Sequence, residues 1–306
     1  MSGYWSGIIS ILAINIIFAY GIFLPVATGQ LNLGGAGFQA LGAYTAGYLS
    51  VHLHLPIPVS VGFAIVLTGA VSFLLAFPIL RTRGVYLVLA TFAFAEMVGG
   101  IILNSERLGG PMGMSVPAFI DYQVPAVVAV VVTLLVFYLM STRFGLAMRA
   151  THDDELVTDL MGVSIRGVQV AAFSIGGALA GLAGGLYAHA FNFIEIQTFN
   201  AMVSIYVLLY VLLGGTQTAW GPLVGATFFT LLPEALRFAL PAAKQSLMAL
   251  SGVQGQATAP DDSWRFVILG AITVAMMVVR PEGLVTRTLV ERLSLRQRSS
   301  RRGAIG

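Results

Sequence analysis

Side chains able to do chemistry are sparse in this 306-residue sequence, and four of the thirteen acidic ones fall in one stretch, Arg143 to Arg166, RFGLAMRATHDDELVTDLMGVSIR. Asp153, Asp154 and Asp159 there have the look of an acid-rich loop that holds magnesium-diphosphate, the chemistry of an intramembrane prenyltransferase. Such an enzyme needs a second, facing acidic loop and several basic residues for the diphosphate. The other pair is Asp261-Asp262, which the topology derived below puts on the opposite side of the membrane. This is therefore the remotest of the readings. Glu96 is a different case, a lone carboxylate inside a long apolar run. A charge near the middle of a bilayer costs several kcal/mol unless it is paired, protonated or facing water. Glu96 is thus a candidate for a secondary carrier or channel, against the plainer role of a hydrogen-bonded group joining two helices. A proton relay would need a chain of such groups.

Absences narrow the field further. There is no cysteine, so disulfides, thiol catalysis and cysteine metal sites are excluded. The four histidines, His52, His54, His152 and His189, have no acidic neighbours at ligand spacing. Lys244 is the single lysine, and no G-x-x-x-x-G-K-[ST] occurs. The chain has no phosphate-cradling loop for ATP, so ATP-driven work would require a separate ATPase subunit. No catalytic residues, metal ligands or bound cofactor are expected.

The acidic stretch also has a conformational reading. Thr151 is a good N-cap, with Asp154 three residues on as the capping-box acid. Asp153, Asp154 and Glu155 occupy the first turn, where the helix dipole favours negative charge. Leu156, Val157, Leu160 and Met161 recur at helical spacing, and Gly162 can end the helix in the left-handed conformation. The expectation is a short amphipathic helix of about ten residues between two membrane spans, either lying on the lipid surface or presented to the groove of a soluble partner.

The elements that hold these residues are membrane spans. The chain is 57% apolar and 9% charged, with no Asp, Glu, Lys or Arg from Met1 through Leu80. A span needs about 20 apolar residues, and several fit. The runs do not alternate, so a helical bundle is expected and not a barrel. Apolar runs lie at about 6–27, 31–51, 57–80, 85–103, 124–140, a stretch after Arg166, 202–213, 223–240 and 266–279. The first run lacks a basic flank and is expected to be retained, not cleaved. Glu234 and Arg237 are spaced as an i,i+3 pair, and 241–263 reads as a polar loop. Gly34, Gly35, Gly37 and Gly42 weaken the second run as a helix, which suggests close helix contact or a broken helix beside a cavity. Asn32 lies in the same segment. Gly177, Gly181 and Gly185 recur every four residues, a close-packing pattern. The segments LNLGGAGFQALG and LGGTQTAWGPLVGA hint at an inverted repeat.

Arg81 and Arg83, the 143–166 segment and a tail with seven arginines against two glutamates from Arg280 to Arg302 all mark cytoplasmic flanks. All three can lie inside only with an odd number of spans. The expectation is an all-α, polytopic transmembrane bundle of about nine spans (eight to ten), one domain over 1–306, a coupling segment at 143–166 and a basic cytoplasmic tail at 281–306. The N-terminus is then outside.

With these residues laid out, the chain resembles the LivM-type permease subunits of branched-chain amino-acid ABC importers over nearly its whole length. The segments that carry the likeness are LRTRGVYLVLATFAFAEMVGGIILNSERLGGPMGM, FGLAMRATHDDELVTDLMGVSIRGVQVAAFSIGGALAGLAGGLYAHAFNFI and SIYVLLYVLLGGTQTAWGPLVGATFFTLLPEALR. GQLNLGGAGFQALGAY looks like the family's early glycine-rich element. The resemblance implies the ABC importer permease fold in a bacterial inner membrane, with no catalysis by this chain. It implies a heterodimer with a sister permease, two cytoplasmic ATPase subunits that carry ATP and magnesium, and a periplasmic or lipid-anchored solute-binding protein. The cargo it implies is branched-chain amino acids or related small amphipathic solutes; relatives move amides, urea or aromatic acids. Arg149 and Thr151 to Gly162, including Asp153, Asp154, Glu155, Leu156 and Leu160, map to the ATPase-coupling segment. Glu96 falls on the family's intramembrane acid, and Gly109, Gly110 and Pro111 on an outer loop. The chain departs from the pattern at Ala93, Ala95 and Met112, near the expected pathway.

Overall fold

Where apolar runs leave no water for the backbone, each amide and carbonyl must find a partner inside its own segment, so the runs become helices. A computed structural model describes residues 3–251, 263–279 and 283–285. The helices are α1 (Gly3–Val26), α2 (Gly35–His52), α3 (Ile57–Ile79), α4 (Val85–Leu103) and α5 (Gln123–Ser141). They continue with α6 (Arg143–Asp153), α7 (Glu155–Leu160), α8 (Ile165–Phe191), α9 (Ala201–Gly214), α10 (Trp220–Ser251) and α11 (Ser263–Val279). Two short strands, β1 (Met114–Ser115) and β2 (Phe193–Ile194), pair antiparallel. Among the described residues, five helices are long and apolar enough to cross a membrane: α1, α3, α4, α5 and α8. Ala201–Gly214 and Gly270–Val279 are shorter apolar helices.

α8 is the central element, packed against α1, α2 and α3. Its small residues let three helices approach at once. A Cβ at Gly177 or Gly181 would overlap Ser72 or Thr68 of α3. Gly185 makes ordinary contact with Ala46 and Val61, at 3.4 to 3.6 Å. A second set, not apparent in the sequence pattern, faces the other way: Gly176 lies on Gly21 and Pro25 of α1, and Gly184 on the backbone of Gln39 in α2. The Ser72 hydroxyl donates to the Phe173 carbonyl at 2.8 Å, tying α3 to α8. Phe38, Phe94 and Phe173 meet inside this core. Around it, α3 exposes Phe63, Val66 and Leu74, and α5 exposes Val127, Val130 and Leu134. These are uncharged faces suited to lipid.

The connections sort onto two sides. On one lie the α1–α2 turn, the α3–α4 turn, α6 with α7, and the α9–α10 turn: Gly29 borders His152, Arg83 meets Glu155, and Thr218 and Arg149 line one pocket. On the other lie the Gly109–Gly113 loop, β1, β2 and the 3-10 turn Ile196–Phe199. There β1 pairs with β2, and the Asn192 side chain donates to the Val116 carbonyl at 2.8 Å.

Three expectations are corrected here. The two glycine-interrupted segments do not sit at opposite faces, as an inverted repeat requires; both turns border α6. The polar loop expected from Pro241 is helical as far as Ser251, because Ala, Lys, Gln, Leu and Met there are strong helix formers. Glu234 and Arg237 do not pair directly. The Tyr4 hydroxyl stands between them, donating to Glu234 and accepting from Arg237, whose guanidinium also lies 5.3 Å from the Tyr4 ring centre. The Asp261-Asp262 pair, Arg280 and the tail from Arg287 onward lie outside the described residues.

Candidate functional site

The segment 143–166, expected to couple to an ATPase, is built from two helices, not one. Thr151, expected as the N-cap, lies inside α6 and is buried, its hydroxyl donating to the Ala147 carbonyl at 2.8 Å. α6 begins eight residues earlier, after Thr142. Asp154 makes the break. It is extended at φ −156° and ψ 108°, closes α6 through its amide to Ala150, and caps α7 by accepting from the Val157 amide at 3.1 Å. The cap and first-turn Glu155 satisfy the start of a helix only six residues long. At its end, the Gly162 amide donates to Asp159 and the Val163 amide to Thr158, with Gly162 at φ +78°. That pair of bonds is a Schellman closure, and the left-handed residue in it favours glycine. Gly162 therefore ends α7 as expected.

The segment is anchored at three places. Arg149 donates to the Met140 and Gly145 carbonyls at 2.9 and 3.1 Å, placing a cation on the last turn of α5. Glu155 reaches Arg83 of the α3–α4 turn at 3.5 Å and accepts from Gln169 of α8 at 3.1 Å. His152 packs on the α1–α2 turn at Gly29, where φ is +84°. Arg83 reads in the sequence only as a cytoplasmic flank, and Gln169 and Gly29 give no signal, since the partners of all three lie far along the chain. Asp153 borders a cavity of about 650 Å³ with Arg149, Gln217, Thr218 and Trp220.

What α7 does not do is bury its apolar face. Leu156, Val157, Leu160 and Met161 are 74%, 51%, 81% and 79% exposed, while Thr158 points inward. Four large apolar side chains on one short polar-capped helix form a surface to be covered by something else. The acids do not converge as a diphosphate site requires: Asp154 is used as a cap, and among the described residues no three His, Asp or Glu side chains could hold a metal ion.

The other candidates separate. Between α1 and α2 the chain is non-helical, and α2 starts beside the middle of α4. Its early amides are met by neighbouring helices: Leu33 by the Thr91 hydroxyl at 3.1 Å, Ala36 by the Ser204 hydroxyl at 2.7 Å. This is how a broken helix is tolerated at membrane depth. Asn32, Gly34, Gly35 and Gly37 are all buried in this junction of the single chain. Asn32 accepts from the Gly34 amide at 2.7 Å; Gly35 lies on Phe18; a Cβ at Gly37 would come within 2.8 Å of the Ala95 Cα. Glu96, one residue on from Ala95, is exposed on the outward face of α4.

Comparison with known proteins matches residues 4–277 to the family described as branched-chain amino acid transport system / permease component. The high-affinity branched-chain amino acid transport system permease protein LivM of Escherichia coli (strain K12) is 29% identical over 318 residues, covering 92% of this chain and 70% of that protein. LivM of Salmonella typhimurium is 28% identical over 312 residues, covering 90% and 68%. The autoinducer 2 import system permease protein LsrC of Photorhabdus luminescens is 26% identical over 243 residues, covering 73% and 70%. No solved structure matches. The match to the family runs from the second residue of α1 into α11, the α1–α2 junction and the α6–α7 pair included, and on it this chain belongs to the permease component family of branched-chain amino acid transport systems.

Proposed function

We propose that the chain is the membrane-spanning permease subunit of an ATP-binding-cassette importer, forming half of the pathway for branched-chain amino acids or related small amphipathic solutes. The observation that carries this is α7: a capped, Schellman-closed helix whose apolar face is turned away from its own protein. A helix of that kind fits a groove on a soluble partner, and a chain without a phosphate-binding loop needs an ATPase partner. In this reading two cytoplasmic ATPase subunits hold ATP and magnesium, a sister permease completes a heterodimer, and a periplasmic or lipid-anchored protein delivers solute. The chain itself catalyses nothing and binds no cofactor. It is a multi-pass protein of a bacterial inner membrane, with α6, α7 and the C-terminal tail in the cytoplasm and the N-terminus outside.

The ties from Glu155 to Arg83 and Gln169, and from His152 to Gly29, give the ATPase stroke a route. Motion of α7 reaches the α3–α4 turn, the foot of α8 and the α1–α2 junction together.

The test is uptake by proteoliposomes. Complete complexes should accumulate a branched-chain amino acid only with ATP and loaded binding protein. Charge reversal of Asp153 and Asp154 together should weaken both uptake and co-purification of the ATPase. Reporters at His152 and Arg302 should be cytoplasmic and one at Gly255 should not. Ion-driven flux by this chain alone would instead make it a secondary carrier.

A further inference from the structure

The faces α3 and α5 turn outward contain no Asp, Glu, Lys or Arg, as a lipid-facing surface requires. The outward face of α4 differs. Leu89, Met97 and Ile101 are 56%, 54% and 60% exposed there, and Glu96 stands exposed among them. Glu96 is the twelfth of nineteen helical residues in a candidate span. It is about 16 Å from one helix end and about 10 Å from the other, too deep for so short a side chain to reach water at either surface. Among the described residues it has no hydrogen bond and no ion pair. A carboxylate so placed cannot face hydrocarbon without a cost of several kcal/mol. An ionised Glu96 therefore requires that the α4 face line water or protein in the assembled complex.

From this the geometry points to one role: Glu96 lines the translocation pathway and accepts the ammonium group of the solute in transit. The chemistry is complementary on both counts. An α-amino acid with an aliphatic side chain is a zwitterion that presents an ammonium group, a carboxylate and an apolar body; α4 presents a carboxylate for the ammonium within Leu89, Met97 and Ile101, and the carboxylate of the solute must be met by another element. A charged hydrogen bond between ammonium and carboxylate is among the stronger neutralising contacts available in a low-dielectric site. Glu96 would thus read a feature common to the amino-acid class and leave the side chain to the apolar surround. This rests on the importer reading above.

The absence of cysteine from this chain supplies the test. Glu96→Cys would be its single thiol, compared with Val130→Cys on the outward face of α5, in complexes assembled with sister permease, ATPases and binding protein. The probes are the sulfonatoethyl and aminoethyl methanethiosulfonates, which require water. Glu96→Cys should react at least tenfold faster than Val130→Cys, and saturating leucine in the presence of loaded binding protein should slow it. Glu96→Gln, nearly isosteric, should lower leucine uptake at least tenfold while the complex still assembles, and Glu96→Asp should recover part of it. Labelling of Glu96→Cys no faster than Val130→Cys, or full uptake by Glu96→Gln, overturns the inference. Failure of the unmodified complex to take up leucine with ATP would overturn the importer reading instead, so the two failures are distinguishable.

Discussion

The guanidinium of Arg149 donates to the Met140 carbonyl at 2.9 Å, bridging nine residues and joining the end of α5 to the middle of α6. A second bond, to Gly145 at 3.1 Å, fixes the same group within its own helix. Gly145 makes the turn possible, since a Cβ there would sit 2.5 Å from the Met140 Cα and carbonyl. One planar fork thus holds the angle at which the coupling segment leaves the membrane.

Arg149→Met keeps the apolar stem and removes both donors. Each lost charged bond is worth about 1.5 to 3 kcal/mol, so ATP hydrolysis should become partly uncoupled, with more ATP consumed per solute imported. Arg149→Lys should restore little, because a single ammonium nitrogen does not reproduce the two separately placed donors, Nε and Nη2, of the rigid fork. The ratio of hydrolysis to uptake in proteoliposomes decides it, and an unchanged ratio in Arg149→Met refutes the claim.

Leu160→Glu and Leu156→Glu place charges on the outward face of α7. With 81% and 74% exposure, neither should change the heat stability of the solubilised chain. Both should reduce recovery of the ATPase in pull-downs by at least tenfold. Undiminished recovery would mean that this face is not where the ATPase docks.

Asp154→Ala removes the α7 cap and should cost about 1 kcal/mol of local stability, while Asp154→Asn keeps a capping oxygen. If the cap matters more than the charge, Asn should support uptake and Ala should not. Hydrogen exchange over residues 155–162, slow in Asn and fast in Ala, is the independent reading. Equal behaviour of the two variants would shift the argument to charge.

Gly181→Val forces a branched side chain into Thr68 of α3. Overpacking in a tight core costs about 1 to 3 kcal/mol, and less solubilised protein should survive mild heating as a single species. Thr68→Ala should relieve part of that loss when combined with Gly181→Ala. Gly185→Ala should be tolerated, because its nearest neighbours are at ordinary contact distance. Similar losses at 181 and 185 would contradict the packing described.

Much of this was legible from the sequence because the strongest signal, long uncharged runs, depends on local composition alone. α3 and α4 begin and end within a residue of the positions read from hydropathy. The end of α7 was legible for the same reason: Gly162 is a local conformational signal. Its start was not. Thr151 and Asp154 can both cap, and only the burial of Thr151 against Ala147 decides between them. Glu234 and Arg237 have helical spacing, yet a tyrosine 230 residues from the glutamate intervenes. Glycines before α2 signal close approach, but whether that approach is to protein or to a lumen depends on what stands opposite. Phe18 and Ala95 stand there.

The pairing of β1 with β2, with the Asn192 bond to Val116 beside it, clamps the far end of α8 to the α4–α5 connection. α8 is 27 residues long, about 40 Å, and its other end begins at the exit from α7. With one end clamped, the rod cannot slide along its axis without breaking the strand pair; it can only swing. A push of about 2 Å at its free foot then appears as a rotation of about 3° around a fulcrum near Asn192, with displacement shrinking steadily along the rod. Gly184 and Gly185, closer to the fulcrum, would move about 0.6 Å, while Gly176 and Gly177 would travel about twice as far.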